Sequence, residues 1–257
     1  MSKLIKSLIA LIISVLFVHL IYIGFILPNA DIAIEFAEQQ GQAVPRNLFV
    51  ILKDLEQEIC LILMLWGTYL IVGKIVSIGK DRYLFDENLV DFSKVENSNK
   101  IEIAKAARDQ LHTLPTDIVN TSLVQTLIVG LDRFLITKDV HYTAEAIDAK
   151  MDALVLGIEA ENSMIRYLIW AIPSIGFIGT VRGIGQALSQ ADQALAGNIA
   201  GMTNSLGVAF NSTLVALVIS IFLMLLLHQL QRIQDGLIVD IRAYCEKHIM
   251  NPIGQSE

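Results

Sequence analysis

The sequence predicts an all-α, polytopic membrane protein with four transmembrane helices, the last two extended into the cytoplasm. Three observations predict it. Apolar residues make up 54% of the 257 and charged residues only 18%, with a mean hydropathy of +0.56. That balance fits several spanning helices and a modest aqueous part rather than one large soluble domain. Four segments reach the roughly 20 apolar residues that a bilayer crossing needs. Beyond the third and fourth, apolar residues keep a helical spacing into charged sequence. The formal charge of −7 lies outside the apolar segments and argues against a nucleic-acid partner. Cys60 and Cys245, the two cysteines, suggest neither a disulfide framework nor a metal site.

The first span lies within residues 1–30, from Ser7 to Ala30, with no charge between Lys6 and Asp31. Its apolar stretch is too long for a signal peptide and no small-residue cleavage pattern follows Leu27, so an uncleaved anchor is expected. Residues 31–58 are expected to form an extracytoplasmic loop. The second span, 59–79, runs from Ile59 to Gly79 and is broken only by Lys74. Residues 80–164 form a cytoplasmic helical region. Within it His112 to Asp117, with Pro115, reads as a turn between helices. From Thr143, a plausible helix start, Ile147, Met151, Leu154, Val155, Ile158 and Ile165 recur at helical spacing.

Residues 165–231 hold the third span, about Ile165 to Leu188, and the fourth, whose most apolar part is Ser205 to Leu227. In the tail, 232–257, Ile233, Leu237, Ile241 and Tyr244 continue the stripe begun by Leu226 and Leu230. Orientation follows from the cations. Lys3 and Lys6 precede the first span, Lys74, Lys80 and Arg82 close the second, Arg166 opens the third and Arg232 follows the fourth. Residues 31–58 instead carry six acids against Arg46 and Lys53. The positive-inside rule places both termini and residues 80–165 in the cytoplasm.

The third span contains Pro173, Gly176, Gly179, Thr180, Arg182 and Gly183 within eleven residues, and the fourth contains Asn211, Ser212 and Thr213. In a membrane, small residues let helix backbones approach closely, and a hydroxyl can line a polar path without the cost of a buried charge. Two helices with a hydroxyl at similar depth suggest an ion path. The chain lacks a Walker-type phosphate loop, a His-Glu-x-x-His and paired cysteines at metal-ligand spacing. No Asp or Glu falls inside the four expected spans, so an ion carrier group would have to come from a partner. No cofactor is expected. His19 and His228 read as residues near helix ends rather than proton relays.

Ile172-Pro173-Ser174-Ile175-Gly176-Phe177-Ile178-Gly179-Thr180-Val181-Arg182-Gly183 resembles the proline, glycine and Gly-Thr-Val pattern of MotA/TolQ/ExbB-type proton channels. Leu206 to Leu217 is similar to that family's last-helix pattern, with Thr213 at its threonine position. The resemblance covers about residues 145–235, and the four-span arrangement looks more like MotA than the three-span TolQ and ExbB. It implies a bacterial inner-membrane stator: a homopentamer around two copies of a single-span partner similar to MotB, TolR or ExbD. That partner supplies a membrane Asp, and ion flow drives rotation that does work at the cell envelope. It further implies that Thr180 and Thr213 line the ion path, with Ser212 and Asn211 beside them. Proton and sodium both stay open as the ion, as does the process powered. Two departures from the pattern bear on ion identity: Arg182, and Asn211-Ser212 where a more acidic or Thr-rich pair is usual.

Each feature also has a plainer reading. Gly176, Gly179 and Gly183 can serve helix packing alone, and Thr180 and Thr213 can bond back to their own helices. Pro173 can simply bend its helix, its freed carbonyl being met by neighbours. For Arg182, a snorkelling anchor, a pore charge and a partner contact stay open. At the level of function, the alternative to a motor subunit is a non-conducting oligomeric membrane scaffold. An enzyme is disfavoured because no acid, His and nucleophile converge at one depth.

Overall fold

The computed structural model describes residues 3–40, 44–87, 89–90, 100–197 and 199–254. Every regular element among them is helical, and four helices are long and apolar enough to cross a membrane. In order they are α1 (Lys3–Ile21), a π-helical turn (Tyr22–Ile26), α2 (Leu27–Gln39), α3 (Leu48–Leu52), α4 (Leu55–Asp81), a 3₁₀ turn (Arg82–Phe85), α5 (Lys100–Thr113), α6 (Thr116–Val119), α7 (Ser122–Thr137), α8 (Val140–Ser189), α9 (Ala191–Leu195), α10 (Ala200–Cys245), a second π turn (Glu246–Met250) and α11 (Asn251–Gly254). The chain is an all-α, multi-pass membrane protein.

Two compact units divide it: Met1–Val72 with Met164–His228, and Gly73–Ser163 with Gln229–Glu257. In the first, α1 and its π turn pack on α4. Val18, Tyr22 and Ile26 are buried against Leu61, Ile62 and Leu65, and the Trp66 indole donates to the Ser7 carbonyl at 3.1 Å. Pro28, which cannot donate to the helix, does not end it. The preceding π turn, in which the Leu27 N–H reaches back to the Tyr22 carbonyl, loosens the ladder just before the proline. The helix therefore continues past Ala30 to Gln39. Residues 31–58, expected as a loop, are thus largely helical. Besides α2 they include α3, capped where the Asn47 side chain accepts from the Val50 N–H at 2.8 Å. They also include the first turn of α4, which starts four residues ahead of the expected Ile59 and brings in Glu56 and Glu58.

The second unit has a core of Leu111, Val124, Leu127, Leu131, Phe134, Ile147, Met151, Ile241 and Ile249. The turn expected at His112–Asp117 separates α5 from α6. Helix α7 ends at Lys138, left-handed at φ 56°, whose N–H bonds the Phe134 carbonyl at 2.8 Å. Helix α8 begins at Val140 rather than at Thr143. Asp139, not Thr143, is the capping residue: its carboxylate accepts from the His141 N–H at 2.7 Å, and Thr143 already lies in the helix, donating to the Asp139 carbonyl. Buried Asn162 and Gln234 join α8 to α10 through a 2.7 Å hydrogen bond. Asp148 and Arg242 join them again at the exposed edge. The tail residues Gln255, Ser256 and Glu257, and Ser98 in the region expected to be cytoplasmic, lie outside the described residues.

Candidate functional site

Glycines three and four residues apart share one face of a helix, and in α8 that face lies on α10. A Cβ added at Gly176 would stand 2.6 Å from the Ala216 Cβ, and one at Gly179 would stand 2.5 Å from both Cβ and Oγ of Ser212. At Gly183 it would meet the Ala209 backbone nitrogen at 2.7 Å and the Ser205 carbonyl at 2.8 Å. As the α8 numbers rise, the α10 partners fall, so the two helices run antiparallel. They touch through a ladder of small residues that no larger side chain could enter without forcing them apart.

That close approach joins the two threonines the sequence singles out. The Thr180 and Thr213 hydroxyls hydrogen-bond directly across the helix pair. Thr180 Oγ1 also lies 3.1 Å from the Ala209 carbonyl and 3.3 Å from the Gly176 carbonyl, and Thr213 Oγ1 lies 3.4 Å from the latter. Both side chains are half-buried. Each hydroxyl has one proton and can accept, so either can donate to the other while the backbone carbonyls take the second proton. Ser212, fully buried, donates to the Val208 carbonyl at 2.9 Å and accepts from the Gln57 amide at 3.4 Å. Asn211, beside Ser212 on α10, is half-buried.

Pro173 lies inside α8 and leaves the Ile169 carbonyl without its helical donor. Ser220 of α10 supplies the replacement, donating to that carbonyl at 3.0 Å. Ser174, by contrast, is exposed and bonds back to the Trp170 carbonyl on its own helix.

Arg182 forms an ion pair within the chain, a role outside the three the sequence leaves open. Its guanidinium lies 2.7 Å from Glu56 Oε2 and 3.5 Å from Asp54 Oδ1. The Glu56 side chain is only 8% exposed, against 40% for Arg182, so the acid is held inside and the base at the edge. Burial pushes the Asp54 carboxyl above its usual value, while Lys53 and Arg182 pull it down. Nearby, His19 Nδ1 lies 2.7 Å from Glu58. Sequence reasoning counts Asp54, Glu56 and Glu58 only toward loop charge and passes over Gln57. The available signal was three acids at alternate positions directly before an apolar run, in a chain whose third span carries a lone arginine. Among the described residues, no group of three or more His, Cys, Asp or Glu is placed to hold a metal ion.

Residues 118–243 match the model of the MotA/TolQ/ExbB proton channel family. The match takes in α7 and both motif helices and extends beyond the 145–235 that the motifs themselves cover. No curated protein and no solved structure matches the chain. Residues 118–243, which carry the glycine ladder and the paired hydroxyls, are thus similar to the MotA/TolQ/ExbB proton channel family.

Proposed function

We propose that this chain is the pore-forming subunit of a rotary motor driven by an ion-motive force, most simply that of protons, at a bacterial inner membrane. Five copies surround two copies of a single-span partner whose membrane Asp carries the ion past Thr180 and Thr213, and both termini lie in the cytoplasm. The observation that carries this reading is the Thr180–Thr213 hydroxyl pair, set where a small-residue ladder brings two spanning helices together in a proton channel family region. A carboxylate crossing a bilayer must be neutralised or met by polar groups, and this pair is such a group. The exposed apolar faces of α8 (Phe177, Ile178, Val181) and α10 (Phe210, Leu214, Val218) suit lipid or neighbouring copies.

One observation favours the non-conducting scaffold instead: both hydroxyls also lie against backbone carbonyls, so packing alone gives them partners. Assembly with the single-span partner decides first. Native mass measurement of the co-expressed proteins in detergent is expected to give five copies of this chain with two of the partner. A monomer or dimer of this chain without bound partner would contradict the motor.

A further inference from the structure

Arg182 stands two residues beyond Thr180, and a guanidinium keeps its charge at any accessible pH. An uncompensated positive charge close to a route for cations lowers cation occupancy by about tenfold or more. The chain compensates it with side chains from outside the family-matched residues. Glu56 and Asp54 both engage the guanidinium. The Glu56 Cγ packs close enough to Gly179 to stand 3.2 Å from a Cβ placed there, one residue before Thr180.

The same helical turn connects to the hydroxyls. Gln57, fully buried, donates to Ser212 Oγ at 3.4 Å and to the Ile51 carbonyl at 3.0 Å. Its Oε1 is buried with no hydrogen-bond donor among the described residues, and so is Asp54 Oδ2. Two buried acceptor oxygens beside the path are groups that attract a cation or its water. Around Arg182 the acids Asp54 and Glu56 stand against Arg182 itself and Lys53, so the charges balance.

We propose that Glu56 is a selectivity-determining residue: with Asp54 it cancels the charge of Arg182, so that the extracytoplasmic mouth does not repel the cations on their way to Thr180 and Thr213. This rests on the channel reading given above. The role given to Glu56 rests on its 2.7 Å ion pair with the Arg182 guanidinium.

The test is ion flow in cells co-expressing the chain and its single-span partner, with assembly checked by native mass. Internal proton and sodium reporters are read after an external acid step and an external sodium step. Glu56→Gln is expected to cut flow by about tenfold or more, Glu56→Asp to retain it, and Arg182→Gln to retain or raise it. The double variant Glu56→Gln, Arg182→Gln should recover flow to near wild type. A double variant as inactive as Glu56→Gln would make Glu56 a carrier, and Arg182→Gln as damaging as Glu56→Gln would make the pair a structural tie; either overturns the proposal. Wild-type cells passing neither ion would overturn the channel reading. The local charge is then read without ion flow, from a cysteine at exposed Leu55 in a chain lacking Cys60 and Cys245. There the ratio of cationic to anionic thiol-reagent rates should fall on Glu56→Gln and recover on adding Arg182→Gln. A ratio unmoved by Glu56→Gln overturns the proposal on its own.

Discussion

Ser220 on α10 donates its hydroxyl, at 3.0 Å, to the carbonyl of Ile169 that Pro173 leaves without a helical donor. The proline thus creates a polar demand inside a span, and the neighbouring helix meets it. A carbonyl left without a donor in hydrocarbon costs free energy, so Pro173 and Ser220 are one device that ties α8 to α10.

Ser220→Ala is therefore expected to destabilise the folded protein by about 1 kcal/mol, the scale of an interhelical hydrogen bond in a membrane. In a Pro173→Ala background the returned backbone N–H can satisfy Ile169, so the same change should cost clearly less. Thermal unfolding in detergent of the four proteins measures the difference, and equal costs in both backgrounds would contradict the device.

Gly179→Ala should be poorly tolerated, because the new Cβ would stand 2.5 Å from Ser212. Overpacking of this kind costs about 1–3 kcal/mol. Gly185→Ala, on the same helix with nothing within 4 Å, should leave folding unchanged. Comparing the melting temperatures of the two variants checks this, and equal melting temperatures would show that the helices do not meet through Gly179.

The helices and their partners differ in how much of them the sequence reveals. Composition and run length expose the four spans because a bilayer imposes one length and one polarity on each. The Gly176, Gly179, Gly183 spacing exposes the packing face of α8 because helical geometry puts those positions in one line. The start of α8 is misread at Thr143 because two residue types able to cap stand four apart, and only the backbone shows that Asp139 takes the role. Helix α7 has a clear apolar period in Leu123, Val124, Leu127, Leu131 and Phe134, and all five are buried. Asp54, Glu56 and Gln57 escape because their meaning depends on Arg182 and Ser212, more than a hundred positions away. No local pattern records a pairing of that kind.

The orientation can be tested with single cysteines in a chain lacking Cys60 and Cys245. Cysteines at Gln40 and Gln193, both exposed, are expected to react with an impermeant thiol reagent added to intact cells. One at Gln110, exposed on α5, should react only after the membrane is opened. Labelling at Gln110→Cys in intact cells would place the second unit outside and reverse the topology.

Ion flow through the Thr180→Val, Thr213→Val double variant, assembled with the proposed single-span partner, tests the central claim most directly. Valine keeps the shape of threonine and removes the donor and acceptor, so the small-residue ladder and the oligomer should persist. The account predicts a native mass equal to wild type, together with a strong loss of ion-dependent output in each single variant and the double. Ser174→Ala, which removes an exposed hydroxyl bonded only to its own helix, should change little. Wild-type ion flow in the double variant would leave Thr180 and Thr213 as packing groups and contradict the account.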